Sequence, residues 1–277
     1  MPTIKELTVE TLSHLAAAGT ERLPVDDEAR GILREWMLAA RAGKTATPPS
    51  PAPAASAPEA PPPAAPQQAE MGVEEKLAYL RKRAENWKPA RALGSLRDTM
   101  VFAVGNPRAR LMLVGEAPGF DEERLGEPFV GKAGQLLNKI LTAMGLSREE
   151  VYISNVCKWR PAMGENQGTA NRAPTPEEIA ACLPLIMAEI RAVRPACIIC
   201  LGASSAKGLL QRELSVGSSR GQWFDCQGVP VRVTYHPSYL LRNEALSARR
   251  AVWEDMLAAM DRLGMPISEK QRGYFRS

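Results

Sequence analysis

Two polar segments of the chain each follow a short apolar run of the kind that forms a β-strand. GEAPGFDEERLGEPFVG (115–131) follows RLMLV, and YHPSYLLR (235–242) follows VPVRVT. Ligands of open α/β sheets bind beyond the carboxyl ends of the strands. The two segments are therefore expected to face each other across one pocket.

The side chains at these strand ends suit a small polar ring. Glu116 stands at a tight turn that Pro118 and Gly119 enforce, and His236 ends the second strand. Asn155 occupies the equivalent place at the end of a third run, VYISN. A carboxylate, an amide and an imidazole together offer donors and acceptors to the edges of such a ring.

An acidic run follows the first turn. Carboxylates are an unusual choice for a surface that binds phosphates, so some of them are expected to face a base, a water or a backbone amide. We expect Glu122, like Glu116, to be functional. Asp121 and Glu123 are expected to lie solvated in a loop.

The elements that position these residues alternate between strand and helix. This pattern predicts a three-layer α/β/α sandwich around a central four-stranded, mostly parallel sheet. The predicted strands are Arg110–Gly115, Val151–Val156, Ala196–Leu201 and Val229–Tyr235. The predicted helices are Val73–Ala84, Lys132–Met144, Thr175 to about Val193 with a TPEE capping box, Ala203–Arg212 and Ser247–Leu263.

A compositional break divides the chain. Residues 45–70 are rich in proline and alanine and predict an extended linker. Residues 1–44 carry two helical patterns and predict a helical N-terminal arm, residues 71–265 form the main domain, and residues 266–277 are a C-terminal tail. The arm has two interpretations: it binds a protein partner, a second copy or the main domain, or it is a weakly ordered tail.

Composition bounds the class of protein. The net charge of +4 is compatible with a nucleic-acid partner but decides little. No apolar run is long enough to span a bilayer and the N-terminus has no secretory apolar region, so we expect a cytoplasmic protein with no membrane partner. Cys197 and Cys200 form a C-x-x-C within the strand PACIICLG, where residues three apart point to opposite faces. We expect plain core thiols there.

Several motifs in order resemble family 4 uracil-DNA glycosylases over residues 85–243: GEAPG, GEPFVGKAGQLLNKIL, YISNVCKWRP, NRAP, LGA and HPSYLLRN. The resemblance implies a monofunctional glycosylase that flips uracil from DNA, hydrolyses its N-glycosidic bond and leaves an abasic site in base excision repair. It implies that Phe129 stacks on the base, Asn155 binds O4 and N3–H, and His236 hydrogen-bonds O2. Glu116 would position or activate water beside the sugar.

The resemblance assigns further roles around the base. Glu122 and Asn171 would form a supporting hydrogen-bonded pair, and Ala117 stands where the best-known uracil glycosylases carry a catalytic aspartate. Leu240, Leu241 and Arg242 resemble a loop that enters the duplex. The partner is uracil-containing DNA, single- or double-stranded. The candidate phosphate contacts are Lys132, Lys158, Arg160, Arg172, Arg220 and Arg242.

The chain departs from the family at the iron–sulfur cluster. Family members hold a four-iron four-sulfur cluster with four cysteines, and the matching positions here are Trp87, Ala90, Trp159 and Cys182. Cys157 lies two residues from the third of these positions. We therefore predict no metal and no cofactor, and we expect Trp87 and Trp159 to pack together near Cys182 in place of the cluster.

Two alternatives remain beside the active uracil glycosylase. One is a glycosylase-derived module that binds DNA or a protein and cuts nothing. The other is a glycosylase that prefers a different deaminated base. The intact residues at the strand ends favour an enzyme, whereas the lost cluster and the added arm leave room for the binding module.

Overall fold

The computed structural model describes residues 71–164 and 166–276. The predicted arm and linker lie outside these residues. The strands are β1 (Leu96–Met100), β2 (Ala103–Gly105), β3 (Leu111–Gly115), β4 (Tyr152–Asn155), β5 (Trp159–Pro161), β6 (Cys197–Leu201), β7 (Trp223–Cys226) and β8 (Val229–Thr234). The helices are α1 (Val73–Glu85), α2 (Lys88–Arg91), α3 (Phe120–Leu125), α4 (Lys132–Met144), α5 (Pro176–Val193), α6 (Ala203–Leu210), α7 (Val216–Ser219), α8 (Pro237–Arg242), α9 (Leu246–Arg262) and α10 (Glu269–Gly273).

The central sheet has six strands in the order β2-β4-β3-β6-β8-β7. The four inner strands run parallel, with Gly115 opposite Asn155 across β3 and β4 and Leu201 opposite Thr234 across β6 and β8. These four are the strands that the sequence predicts. Their carboxyl ends consequently meet at one edge of the sheet.

The prediction of a four-stranded sheet was wrong, because the two edge strands, β2 and β7, were not predicted. Strand β2 is only three residues long and pairs antiparallel with β4. Strand β7 pairs antiparallel with β8 through a tight turn at Gln227 and Gly228, both with positive φ. Such short strands carry too little alternation to be recognised by pattern.

Helices pack on both faces of the sheet, as the three-layer prediction requires. Helices α4 and α9 cover one face and α1, α5 and α6 cover the other. Side chains of strand β6 pack on both faces of the sheet. Cys197 lies in the core under α4 and α9, and Cys200 lies in the core under α1, α5 and α6. The two thiols therefore point to opposite faces, which confirms that they are core residues.

The helix boundaries follow from local sequence signals. Helix α5 begins after Thr175, whose hydroxyl accepts a hydrogen bond from the backbone N–H of Glu178, while the Glu178 carboxylate reaches back to the Thr175 N–H. Helix α4 has the predicted bounds. The acidic run was wrongly predicted as a loop: it forms α3, with its carboxylates in the first turn, where the helix dipole favours them.

Within the described residues, no helix is long and apolar enough to cross a membrane.

Candidate active site

A cavity of about 410 Å³ opens at the carboxyl edge of the parallel strands. Glu116 follows β3, Asn155 ends β4, Gly202 follows β6 and His236 follows β8, and all four line it. The structure thus brings together the three side chains that the sequence predicted to converge. The other predicted base contacts also line the cavity: Ala117, Glu122, Phe129 and Asn171.

His236 is held by the start of helix α8. It is the N-cap residue, and its Nδ1 accepts a hydrogen bond from the backbone N–H of Ser238 at 3.1 Å. Burial, assisted by the charge of Arg242, lowers the pKa of His236 to about 4. The imidazole is therefore neutral near pH 7, and because Nδ1 accepts, its proton resides on Nε2. His236 is a donor without a positive charge.

Asn155 presents an unsatisfied acceptor. The residue is 2% exposed. Its side-chain Oδ1 is buried and has no hydrogen-bond partner among the described residues. A buried polar atom left without a partner costs free energy, so such an atom in a cavity wall points to a ligand that donates to it.

Phe129 reaches the cavity through a strained backbone. Its φ is +56°, in the left-handed region that bulky residues avoid. Its ring centroid lies 5.7 Å from that of His236. Strain of this kind persists only where the surroundings enforce it, and it clusters at functional sites.

Two side chains enforce the conformation of the loop around Phe129. Arg148 donates from Nη1 to the carbonyl of Phe129 at 2.9 Å and from Nη2 to that of Pro128 at 2.8 Å. Glu122 Oε1 accepts from the backbone N–H groups of Val130 at 3.0 Å and Gly131 at 2.9 Å. Sequence reasoning missed Arg148, because its role depends on a contact nineteen residues away in the chain.

The predicted hydrogen-bonded pair between Glu122 and Asn171 was wrong. Glu122 is occupied by the backbone amides of its own loop, including that of Gly119 at 3.2 Å. Asn171 Oδ1 instead accepts from Arg160 Nε at 2.8 Å. Both side chains still lie against Gly119, so both shape the same wall of the cavity.

Glu116 is a partly buried carboxyl on the cavity wall. Burial raises its pKa, and a hydrogen bond to Ser204 opposes part of that effect. A raised pKa makes the ionised carboxylate a stronger base toward a water molecule. Ala117 lies beside it on the cavity wall and leaves space where a larger side chain would intrude.

Two predicted phosphate contacts are buried and were wrong. Lys158 is 0% exposed and pairs with Glu189. Arg160 is 1% exposed and donates to Glu123, to Asn171 and to the carbonyls of residues 168 and 170. Glu123, predicted to be solvated, is thus a structural partner of Arg160. Because both side chains are buried, neither cation can reach a DNA phosphate.

The remaining predicted phosphate contacts differ in whether their side chains are exposed or already paired within the protein. Arg220 is bound to Asp255 at 2.9 Å, and Arg172 donates to both carboxylate oxygens of Glu178, although it still borders the cavity. Lys132 and Arg242 are exposed, and Arg242 lines the cavity.

The predicted wedge also divides. Leu240 is 7% exposed and packs in the core, so it was wrongly included, whereas Leu241 is 46% exposed.

The positions that match the cluster cysteines are filled by a packed core. Ala90, Cys157, Trp159 and Cys182 belong to one buried cluster, and Trp87 packs against it. The indole of Trp87 donates to the carbonyl of Ala181 at 2.7 Å. As predicted, Trp159 and Cys182 lie in one buried cluster and Trp87 packs against that cluster; packing of the two tryptophans on each other stays a prediction. Two thiols and three apolar side chains do not fit a cluster that needs four ligands, and no group of three His, Cys, Asp or Glu in the described ranges is arranged to hold a metal ion.

Comparisons with known proteins agree with this geometry. A family model described as the uracil DNA glycosylase superfamily matches residues 102–257. The chain is 43% identical over 162 residues to a type-4 uracil-DNA glycosylase of Thermotoga maritima, which covers 58% of this chain and 81% of the relative. It is 40% identical to the type-4 enzymes of Pyrobaculum aerophilum and Archaeoglobus fulgidus, over 56% of this chain and 79% and 78% of those relatives. The chain therefore belongs to the uracil-DNA glycosylase superfamily and, within it, to the type-4 uracil-DNA glycosylases.

Proposed function

We propose that the protein excises uracil from DNA by hydrolysing the N-glycosidic bond of a flipped nucleotide, which leaves an abasic site for base excision repair. The observation that carries this proposal is the unpartnered Oδ1 of Asn155 beside the neutral, Nε2-protonated His236. Uracil offers a donor at N3–H and acceptors at O2 and O4, which complement these groups. Cytosine carries an acceptor at N3, which Oδ1 repels.

The residues have separate tasks in this reaction. Phe129 stacks on the flipped base, while Asn155 accepts from N3–H and donates to O4. His236 donates from Nε2 to O2, where negative charge develops as the bond to the sugar breaks. Glu116 holds the water that attacks the sugar and takes up its proton. Ala117, Glu122 and Asn171 complete the wall around the base.

DNA approaches over the exposed residues at the mouth of the cavity. Lys132 and Arg242 contact phosphates, and Leu241 enters the space that the flipped base vacates. Arg172, which directs two of its donors to Glu178 and the other three to backbone carbonyls, gives a weaker contact. We assign these functions to the domain of residues 71–265, onto which helix α10 of the predicted tail packs: Trp253 Nε1 donates to the carbonyl of Gln271 at 2.6 Å.

We further infer that this protein works without an iron–sulfur cluster, because Trp87, Ala90 and Trp159 stand at three of the four matching positions and pack in one core with Cys182 at the fourth. We place its activity in the cytoplasm. The arm of residues 1–44 remains a candidate site for a protein partner, and its helical patterns are the only support for that role.

Matched oligonucleotides test the proposed activity. Uracil, cytosine, hypoxanthine and xanthine are placed in one sequence context, and abasic sites are revealed by alkaline cleavage. Wild type is expected to cleave the uracil strand. His236→Ala and Asn155→Ala should each lower the single-turnover rate by about 10²–10³, as loss of one donor to a developing anion does elsewhere.

Asp121→Asn serves as the control, since Asp121 is half exposed and pairs only loosely with Arg124. Its rate should match that of wild type. DNA binding without cleavage of any substrate would identify a binding module, and faster cleavage of hypoxanthine or xanthine would assign another base. The first outcome rejects uracil excision, and the second rejects uracil as the preferred base.

A further inference from the structure

Lys158 lies fully buried on the far side of strand β4 from the cavity. Its Nζ donates to Ser154 Oγ at 2.6 Å and to the backbone carbonyl of Asn155 at 2.7 Å, and it forms an ion pair with Glu189. The ring of Phe102 lies 5.5 Å from the ammonium group. Since an ammonium group has three N–H donors, these three acceptors satisfy it completely.

The hydroxyls of strand β4 complete this buried network. Ser154 Oγ donates to Glu189 Oε2 at 2.7 Å, and Tyr152 Oη donates to the same oxygen at 3.1 Å. Side chains alternate along a strand, so Tyr152 and Ser154 point to one face and Asn155 to the other. The network therefore binds the backbone of β4 on the face opposite the cavity, while the Asn155 amide projects into the cavity.

The contact falls at the end of the strand, where the backbone leaves the sheet. Beyond Asn155, the N–H groups of Val156 and Cys157 still donate to the carbonyls of Gly115 and Glu116, each at 3.0 Å. The Asn155 carbonyl is held by Lys158 instead. Both sides of the peptide group that follows Asn155 are thus fixed, and with them the direction of its side chain.

We propose that Lys158 is a positioning residue for base recognition: its buried ammonium group, anchored by Glu189, fixes the Asn155 backbone so that the amide meets the uracil edge. The proposal rests on the proposed function, because it assigns Asn155 to the base. Buried ion pairs are often replaceable by neutral groups without loss of stability, so such a pair is not required for the fold as a rule. Displacement of a reacting or recognising group by about 1 Å costs on the order of 10²-fold in rate.

The test removes the network's charge without leaving an unpaired ion. The double variant Lys158→Met, Glu189→Gln eliminates both charges and retains an amide acceptor for the two hydroxyls. Its single-turnover rate on uracil DNA at saturating enzyme is expected to fall about 10- to 100-fold, while the half-saturating DNA concentration stays unchanged. Tyr152→Phe, which removes a contact of Glu189 but none of Lys158, is the matched control and should retain the wild-type rate.

Salt dependence separates this role from phosphate binding. Loss of a phosphate contact lowers the slope of log affinity against log salt by about 1. Arg242→Ala should show that change, and the double variant should not. A reduced slope in the double variant, or a wild-type rate in a folded double variant, overturns the proposal.

Folding of the variants is monitored by circular dichroism and thermal unfolding. If the double variant does not fold, Ser154→Ala decides, because it removes one anchor of Nζ and leaves the ion pair in place. A lower rate at unchanged half-saturation supports the proposal, and an unchanged rate overturns it. Wild type is assayed first, so that absence of uracil excision rejects the proposed function, whereas a defect confined to the variants bears on Lys158.

Discussion

Among the single residues of the site, Glu116 changes its protonation state in the mildly acidic range, whereas His236 stays neutral there. The pKa of His236 is lowered to about 4 by burial and by Arg242, so the imidazole is uncharged at pH 5 and above. The pKa of Glu116 is raised above its ordinary 4.5 by burial. Of the two, the carboxyl of Glu116 governs the pH dependence of the reaction in the mildly acidic range.

This assignment predicts the shape of the pH–rate profile. The single-turnover rate should fall as pH drops through the raised pKa of Glu116, because protonation removes the base that accepts a proton from water. The fall should begin above pH 4.5, with no separate inflection near the ordinary histidine pKa of 6.5. Rates measured from pH 4 to 9 on a uracil oligonucleotide test this directly.

Glu116→Gln is the control for the profile. It should lower the rate at neutral pH and abolish the acid limb, because glutamine does not titrate. An inflection near pH 6.5 that persists in this variant would show that His236 titrates normally and acts as a cation. That result would contradict the neutral donor that its contact with Ser238 implies.

At the scale of elements, strand β3 ends in glycine because two side chains occupy the space next to it. A Cβ on Gly115 would lie 2.3 Å from Asn155 Oδ1 and 2.5 Å from the ζ carbon of Phe129. The missing side chain lets the amide and the ring approach the end of the strand. Both base contacts therefore depend on this position.

Gly115→Ala should consequently damage the site more than the fold. The added methyl must displace Asn155 or Phe129, and overpacking of this kind costs about 1–3 kcal/mol of unfolding free energy. Uracil excision should fall by about 10²-fold, since at least one of the two base contacts moves. Chemical denaturation and single-turnover rates separate the two effects, and a variant that cleaves at the wild-type rate would refute the placement of both residues around the base.

The adjacent leucines of helix α8, Leu240 and Leu241, are expected to have different roles. Leu240 faces the core and Leu241 faces solvent. Leu240→Ala should cost about 2–5 kcal/mol of stability, as truncation in a core does. Leu241→Ala should leave the melting temperature unchanged and slow excision from double-stranded DNA more than from single-stranded DNA, because only the duplex needs a side chain to fill the vacated stack.

The two leucine variants control for each other in thermal unfolding and in excision from both kinds of DNA. Equal slowing on single- and double-stranded substrates by Leu241→Ala would rule out a wedge.

Much of this arrangement was predictable from sequence, and the exceptions have a common cause. The parallel strands and their polar ends were predictable because apolar runs followed by turn residues are local signals. The burial of Lys158, Arg160 and Leu240 was not predictable, because the sequence around a lysine, arginine or leucine does not show which distant residues will pack against it. The clamp of Arg148 on Phe129 and the roles of Glu122 and Glu123 likewise depend on contacts between distant segments.

At the scale of the whole molecule, a packed core occupies the positions that resemble a cluster site. Trp159 is 0% exposed and lies in the same buried cluster as Ala90, Cys157 and Cys182. The β5 strand that carries it also carries Arg160, which holds Asn171 at the cavity. The buried cluster thus supports one wall of the site through β5.

This view predicts a protein whose stability does not depend on iron. The purified protein should contain no stoichiometric iron, and chelators should leave its unfolding midpoint unchanged. Trp159→Ala should lower stability by about 3–5 kcal/mol, because it opens a large cavity in the core. Metal analysis and denaturant unfolding check both points. A brown protein that loses stability with chelator would contradict them.

The most direct test of the account is a crystal structure with DNA that contains a 2′-fluorinated deoxyuridine, whose fluorine slows cleavage of the bond to the base. A flipped uracil is expected against Phe129, with O2 within about 2.7–3.2 Å of His236 Nε2 and N3 at the same distance from Asn155 Oδ1. A uracil that remains stacked in the DNA, or that is bound away from the ends of β3, β4 and β8, would contradict it.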